Sequence, residues 1–212
     1  MATTARRRVG SAGEHALQQR YGTEARALAF YREQVMDELN GAMRMFIGNM
    51  EMAFVSTADA EGNCDCSFRA GTPGFVRVLD SHTLAYPEYR GNGVMASQGN
   101  ITENGHVGLL FVDFYGSGVG LHVNGRARIV ESGEPAALSE ASKTVAALAV
   151  AGGPHPERWV LVEVDEAYIH CSKHVPLLTK QDKVIAWATD DARLKGGDYF
   201  GVSASRRNGS GA

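Results

Sequence analysis

Residues 84–100 read LAYPEYRGNGVMASQGN. The stretch begins as an apolar β run, breaks at Pro87 and then turns. Gly91 and Gly93 flank Asn92, so the backbone here can visit positive φ and aim its N–H groups to one side. Arg90 lies beside that turn. A guanidinium next to a backbone concavity grips a phosphate or carboxylate with two parallel hydrogen bonds. The competing reading of the same residues is a tight loop with a solvated arginine. Met95 to Glu103 then reads as a short helix.

The flanking sequence places this turn in a β-rich fold. On the N-terminal side, MAFVST (52–57) and CDCSFR (64–69) are short β runs joined by a polar turn, which is a hairpin pattern. In the second run Cys64, Cys66 and Phe68 alternate with Asp65, Ser67 and Arg69. Ser67 and Arg69 therefore point the same way. Phe75 to Leu79 forms a third strand and Thr83 to Tyr86 a fourth. On the C-terminal side, HVGLLFVDF (106–114) is apolar enough to be buried on both faces. GLHVNGRARIVE (120–131) alternates and slips near Gly125, the mark of a bulge. RWVLVEVDEAYI (158–169) is the last long strand. Short hairpin connections without regular βαβ alternation predict six or seven largely antiparallel strands with peripheral helices, closed as a barrel or sandwich.

Outside the strands, Leu28, Tyr31, Val35, Leu39, Met43 and Phe46 recur at helical spacing. They predict a helical segment over 23–50 that packs on the barrel, broken at Gly41 after Asn40. Residues 135–151 predict another helix, starting near Pro135. The expected organisation is a flexible tail over 1–22, the helical segment over 23–50, the barrel over 51–180, and a C-terminal segment with a flexible end over 181–212.

Composition excludes several classes. The 212-residue chain is 44% hydrophobic and 21% charged, with net charge -3 and pI near 6.2. That balance argues against general nucleic-acid binding, which needs a basic face. No apolar run reaches the length of a membrane span. The basic N-terminus lacks the apolar core of a secretory signal, so a cytoplasmic location is expected. Cys64, Cys66 and Cys171 are odd in number and suggest reduced thiols. A zinc site built from Cys64, Cys66, His170, Cys171 and His174 is disfavoured. Zinc pairs usually carry two to four intervening residues, and no metal is expected.

Taken together, FVSTADAEGNCDCSFRAGTPGFVRVLD, LAYPEYRGNG, ENGHVGLLFVDF and LHVNGRARIV resemble the pyridoxamine 5'-phosphate oxidase-like FMN-binding split-barrel family. The resemblance spans about Phe54 to Ile169. It implies a split β-barrel, a homodimer and FMN bound in clefts at the subunit interface. Carried over residue by residue, it assigns Ser67 and Arg69, with the Phe68 backbone, to the flavin and ribityl chain. It assigns Tyr86, Pro87, Arg90, Gly91 and Asn92 to the ribityl and phosphate groups. Many relatives place a second cation after the phosphate arginine, where this chain has Gly91. His122 stands where many have arginine. His170 and Lys173 are candidates for closing the cleft.

The implied function is that of an FMN-dependent oxidoreductase acting on a small molecule, with NAD(P)H as a candidate reductant. True pyridoxamine phosphate oxidase activity is not expected, because Lys195-Gly196 follows Arg193-Leu194 where those enzymes carry a proline. Flavin chemistry asks little of protein acid–base groups, so no catalytic nucleophile or base is assigned. The alternatives from related families are F420 or haem in place of FMN, His122, His170 and His174 being the haem-ligand candidates. A flavin-binding sensor or stress protein without turnover is the remaining class.

Overall fold

The computed structural model describes residues 9–131 and 156–209, apart from 184, 187, 188, 190 and 192. The expected helix over 135–151 and Trp187 lie outside them. The elements run α1 (Ala12–Tyr21), α2 (Glu24–Gln34), β1 (Val35–Met36), α3 (Gly41–Asn49), β2 (Met52–Ala58), β3 (Cys64–Ala70), β4 (Arg77–Val78), β5 (Thr83–Glu88), α4 (Ala96–Glu103), β6 (His106–Val112), β7 (Gly120–Glu131), β8 (Arg158–His170) and α5 (Val202–Gly209).

Eight strands make one sheet in the order β3-β2-β6-β7-β8-β5-β4, with β1 added to β8. Every pairing is antiparallel. The sheet is the wall of a split β-barrel with peripheral helices, as the family resemblance implied; the strand pattern predicted six or seven antiparallel strands, and the two-residue β1, paired with β8, brings the number to eight. Its inner face carries the core: Val55, Leu84, Tyr86, Leu109, Phe111, Val123, Val160 and Val162 are closed off from solvent, and Ile47 of α3 packs among them. The described helices include none long and apolar enough to cross a membrane.

Four local expectations change. The helical period over 23–50 is split into α2 and α3 around β1, because Val35 and Met36 pair with Tyr168 and Ala167. Asn40 does not end the first helix. It begins α3, its side chain accepting from the Met43 N–H at 2.9 Å, and asparagine is stronger as an N-cap than inside a helix. In β6, Val107, Leu109 and Phe111 are buried on one face, while the other runs from exposed His106 through half-buried Gly108 and Leu110 to buried Val112, so the second face is buried only at its end. At the termini, Ala12–Tyr21 form a helix closed by a Ser11–Glu14 capping box, and Val202–Gly209 form another.

The bulge falls near Gly125. Asn124 pairs with Glu166 and Gly125 with Val164, so Asp165 is the extra residue on β8. A Cβ on Gly125 would collide with the Glu163 carbonyl oxygen. The absent side chain is what lets β7 and β8 approach there.

Candidate functional site

Strand β5 runs along β8 through Tyr86, Pro87 and Glu88 and then leaves the sheet. The chain turns through Arg90, Gly91, Asn92 and Gly93. Gly93 has φ +83, and open space surrounds both glycines. The Asn92 side chain accepts from the Val94 N–H at 2.9 Å, which holds the turn. Met95 follows at φ 56, a left-handed conformation that is costly for a residue with a long side chain. It enters α4 without giving it a side-chain cap. The first turn of α4 thus presents backbone N–H groups that no capping side chain takes up.

These parts border a cleft of about 890 Å³, within the ordinary size of a small-molecule or cofactor site. One wall is β3, with Asp65, Ser67, Phe68 and Arg69. The other is the turn from Tyr89 through Gly93 and the first turn of α4. Arg158, and Ile185 with Lys195 from the C-terminal segment, complete it. The cleft collects four cationic side chains, Arg69, Arg90, Arg158 and Lys195, three carboxylates, Asp65, Glu88 and Glu157, and a helix N-terminus; Arg69 and Arg158 are paired with glutamates, and the helix N-terminus suits an anion.

Arg69 is the most enclosed of these cations. It pairs with Glu88 at 2.8 Å and donates to Ser97 Oγ at 2.7 Å. This pair ties β3 to β5 and α4. Burial pushes the Glu88 carboxyl above its usual range, while the Arg69 charge and hydrogen bonds pull against that shift. Beneath it, Tyr86 is buried with its hydroxyl unpaired among the described residues. Burial, and then the Glu88 charge, push that phenol upward.

The sequence-derived residues divide into two groups. Ser67, Phe68, Arg69, Arg90, Gly91 and Asn92 all line the cleft, although some twenty residues separate the two segments that supply them. Tyr86 and Pro87 do not line it: Tyr86 points into the core, and Pro87 lies buried opposite Trp159. His122 and Lys173 are elsewhere too. His122 stacks on Tyr168 with ring centroids 4.7 Å apart, and its Nε2 lies 2.9 Å from His170 Nδ1. Burial, and then the neighbouring His170, lower its proton affinity. Lys173 sits in the short 3-10 turn Ser172–His174. Cys64, Cys66 and Cys171 are free and exposed, and no group of three or more metal-ligating side chains is gathered among the described residues.

Glu88, Ser97, Arg158 and Lys195 are cleft residues that the sequence reading passed over. Glu88 carried a signal, as a carboxylate two positions after Tyr86 in an apolar run and so on the same face. Its partner could not be read, because Arg69 is nineteen residues away.

A split barrel whose strand ends open into a cleft with arginine and helix N-terminal donors has the chemistry to receive a phosphate-bearing small molecule or cofactor. The family model for pyridoxamine 5'-phosphate oxidase matches residues 39–171, and the chain belongs to that family. Solved structures similar to the chain include HupZ of Group A Streptococcus, 27% identical, covering 59% of this chain and 89% of that one at TM-score 0.43. A putative pyridoxamine 5'-phosphate oxidase from Lactobacillus delbrueckii is 22% identical, covering 63% and 95% at TM-score 0.46. An FMN-binding protein from Syntrophomonas wolfei is 12% identical, covering 74% and 97% at TM-score 0.43. No curated protein matches the chain.

Proposed function

We propose that the chain is an FMN-binding flavoprotein of the oxidoreductase type, with the cofactor phosphate at the N-terminus of α4, where Arg90 borders the cleft and Arg69 reaches Ser97. The observation that carries this reading is the convergence of Arg90, the Gly91–Asn92–Gly93 turn and the uncapped N-terminus of α4 on one cleft that Ser67 and Arg69 also line. The donor set fits a phosphate monoester: a cation, backbone N–H groups and a positive helix end. FMN, when bound, supplies the electron and hydride chemistry. The protein's part is to anchor the phosphate, orient the ring along β3 and limit access of water.

In this reading the cleft is completed by a second copy of the chain. Phe68, Val94 and Met95 line the cleft and are 55%, 71% and 47% exposed. A rim so apolar and so open is the kind of surface that association covers.

The test is the visible spectrum of the purified protein together with titration by flavin fluorescence. A yellow protein that releases FMN supports the reading, whereas a Soret band or bound F420 redirects it to those cofactors. Arg90→Ala is expected to weaken FMN binding by about 10- to 100-fold, from the roughly 1.5–3 kcal/mol of a hydrogen bond to a charged group. Unchanged affinity removes Arg90 from the site.

A further inference from the structure

Arg69 enters the cleft already committed. Its Nε and Nη2 both donate to Glu88 Oε1, at 3.0 and 2.8 Å. Nη2 also donates to Ser97 Oγ at 2.7 Å, and Nη1 donates to the Phe68 carbonyl at 3.1 Å. Those bonds use all but one of the five N–H groups of the guanidinium. Glu88 and Ser97 are 5% and 3% exposed, so the pair is shielded from the screening that weakens surface ion pairs. The cation deepest in the cleft is therefore neutralised from within the protein before any ligand arrives.

The surroundings of Glu88 define what an incoming anion would disturb. Arg69 faces it from β3, Arg158 from β8 and the Gln98 amide from α4, with Tyr86 behind it on its own strand. Arg158 is shared with Glu131 and Glu157, at 3.2 and 3.3 Å. An anion against Arg69 thus meets the Glu88 carboxylate across the same guanidinium. Two anions on one cation in a low-dielectric site favour neutralising one of them, and Glu88, closed off from solvent, is the one whose charge water screens least. Tyr86, with its buried hydroxyl unpaired among the described residues, marks the same base as a polar set that the folded chain leaves incomplete.

We propose that Glu88 is a positioning residue that orients Arg69 and withholds its charge, so that a phosphate-bearing ligand competes with Glu88 for Arg69 and its binding is coupled to uptake of a proton by Glu88. The inference rests on the cofactor reading above and adds a regulation to that site. By linkage, a ligand that prefers the protonated form binds more tightly as pH falls through the titration of Glu88. Burial places that titration above the ordinary carboxylate range. The chain then discriminates by phosphate charge as well as by the flavin ring, and it does so through a group that need not touch the ligand.

The experiment compares FMN with riboflavin, which lacks the phosphate, by fluorescence quenching on wild type and Glu88→Gln between pH 5.5 and 8. Glutamine keeps an acceptor for Arg69 and removes the charge. The FMN phosphate titrates near pH 6 against both proteins, so the quantity read is the difference between them. At pH 8 the preference for FMN over riboflavin is expected to be about tenfold greater in Glu88→Gln than in wild type, equivalent to one pKa unit of coupling. The two are expected to converge at the acid end. Calorimetry of wild type alone, in two buffers of different ionisation enthalpy at the pH values over which its own preference for FMN over riboflavin changes, is expected to show net proton uptake on binding FMN and none on binding riboflavin. That arm holds even where the variant fails to fold. Parallel pH profiles, or FMN binding without proton uptake, would overturn the role of Glu88 while leaving the cofactor site in place. FMN bound no more tightly than riboflavin by either protein would overturn the cofactor reading and this inference with it.

Discussion

Gly125 shows how much one absent side chain can decide. The chain slips register between Asn124 and Gly125, and the Glu163 carbonyl occupies the space where a Cβ would stand. Backbone, unlike the end of a flexible side chain, cannot swing aside cheaply. Gly125→Ala is therefore expected to destabilise the fold by about 1–3 kcal/mol, the usual cost of overpacking. Urea unfolding measures it, and an unchanged midpoint would show that β7 and β8 are not closely apposed there. This site was legible, because a glycine interrupting an alternating run signals a bulge. Arg90 with its glycine turn was legible for the same local reason. Glu88 was not: its meaning depends on Arg69 and Ser97, which reach it only once β3 and α4 have folded against β5. Tyr86 and Pro87 were assigned to the ribityl and phosphate groups by the family resemblance of the YPEYRGNG stretch. The pleat turns Tyr86 inward instead, and the ladder buries Pro87 against β8.

At the scale of elements, the barrel's hairpins depend on aspartates that fold the chain back. Asp59 accepts from the backbone N–H groups of Glu61 and Asn63 at 2.9 and 2.8 Å. Asp113 accepts from the N–H groups of Tyr115, Gly116 and Ser117 at 3.1, 2.9 and 2.7 Å. Both carboxyls are held below their usual range, Asp59 chiefly by the Asn63 side chain and Asp113 chiefly by the Ser117 backbone. A depressed folded-state value means that the unfolded chain takes up protons first as pH falls. The stabilisation is complete above the unfolded value of about 3.9 and is lost as pH drops through the lower folded one. Asp113→Asn is expected to be less stable than wild type at pH 7. It is also expected to lose less stability between about pH 4 and pH 2, because it has one less shifted carboxylate to protonate. Acid titrations followed by circular dichroism check this, and identical curves would remove Asp113 from the turn's energetics. The Asp59 turn was visible as a polar break between apolar runs, whereas Asp113 was read as part of the strand over 106–114, which ends at Val112. The division of α2 from α3 was not visible, since helical spacing continues through Val35 and Leu39. What ends α2 is the pairing of β1 with β8, a partner far along the chain.

At the scale of the molecule, the strand pattern was enough to predict antiparallel strands closed as a barrel or sandwich, because alternation and short connections admit few other closures, and the family resemblance chose the split barrel between them. Which openings of that barrel stay bare is a different question, and only the three-dimensional arrangement addresses it. The core is closed by α3 at Ile47, yet the cleft mouth leaves Phe68 and Val94 facing water. Phe68 rests edge-on against Phe54, with centroids 5.6 Å apart, so it is held in place rather than free to fold back over the cleft. Val94 is the more exposed of the two and is the more informative position. Its substitution leaves the core, the Arg69–Glu88 pair and the Asn92 turn untouched. If a second copy covers the cleft, as proposed, the wild-type protein sediments as a dimer at micromolar concentration. Val94→Glu, which puts an unpaired charge into that contact, is then expected to shift the equilibrium towards monomer by at least about tenfold, the effect of roughly 1.4 kcal/mol. FMN affinity is expected to fall with it, because a cleft closed by two chains loses one wall when they part. A wild-type monomer in analytical ultracentrifugation would leave the cleft to a single chain. The apolar rim would then stay open to solvent on the cleft that Ile185 and Ala186 also line.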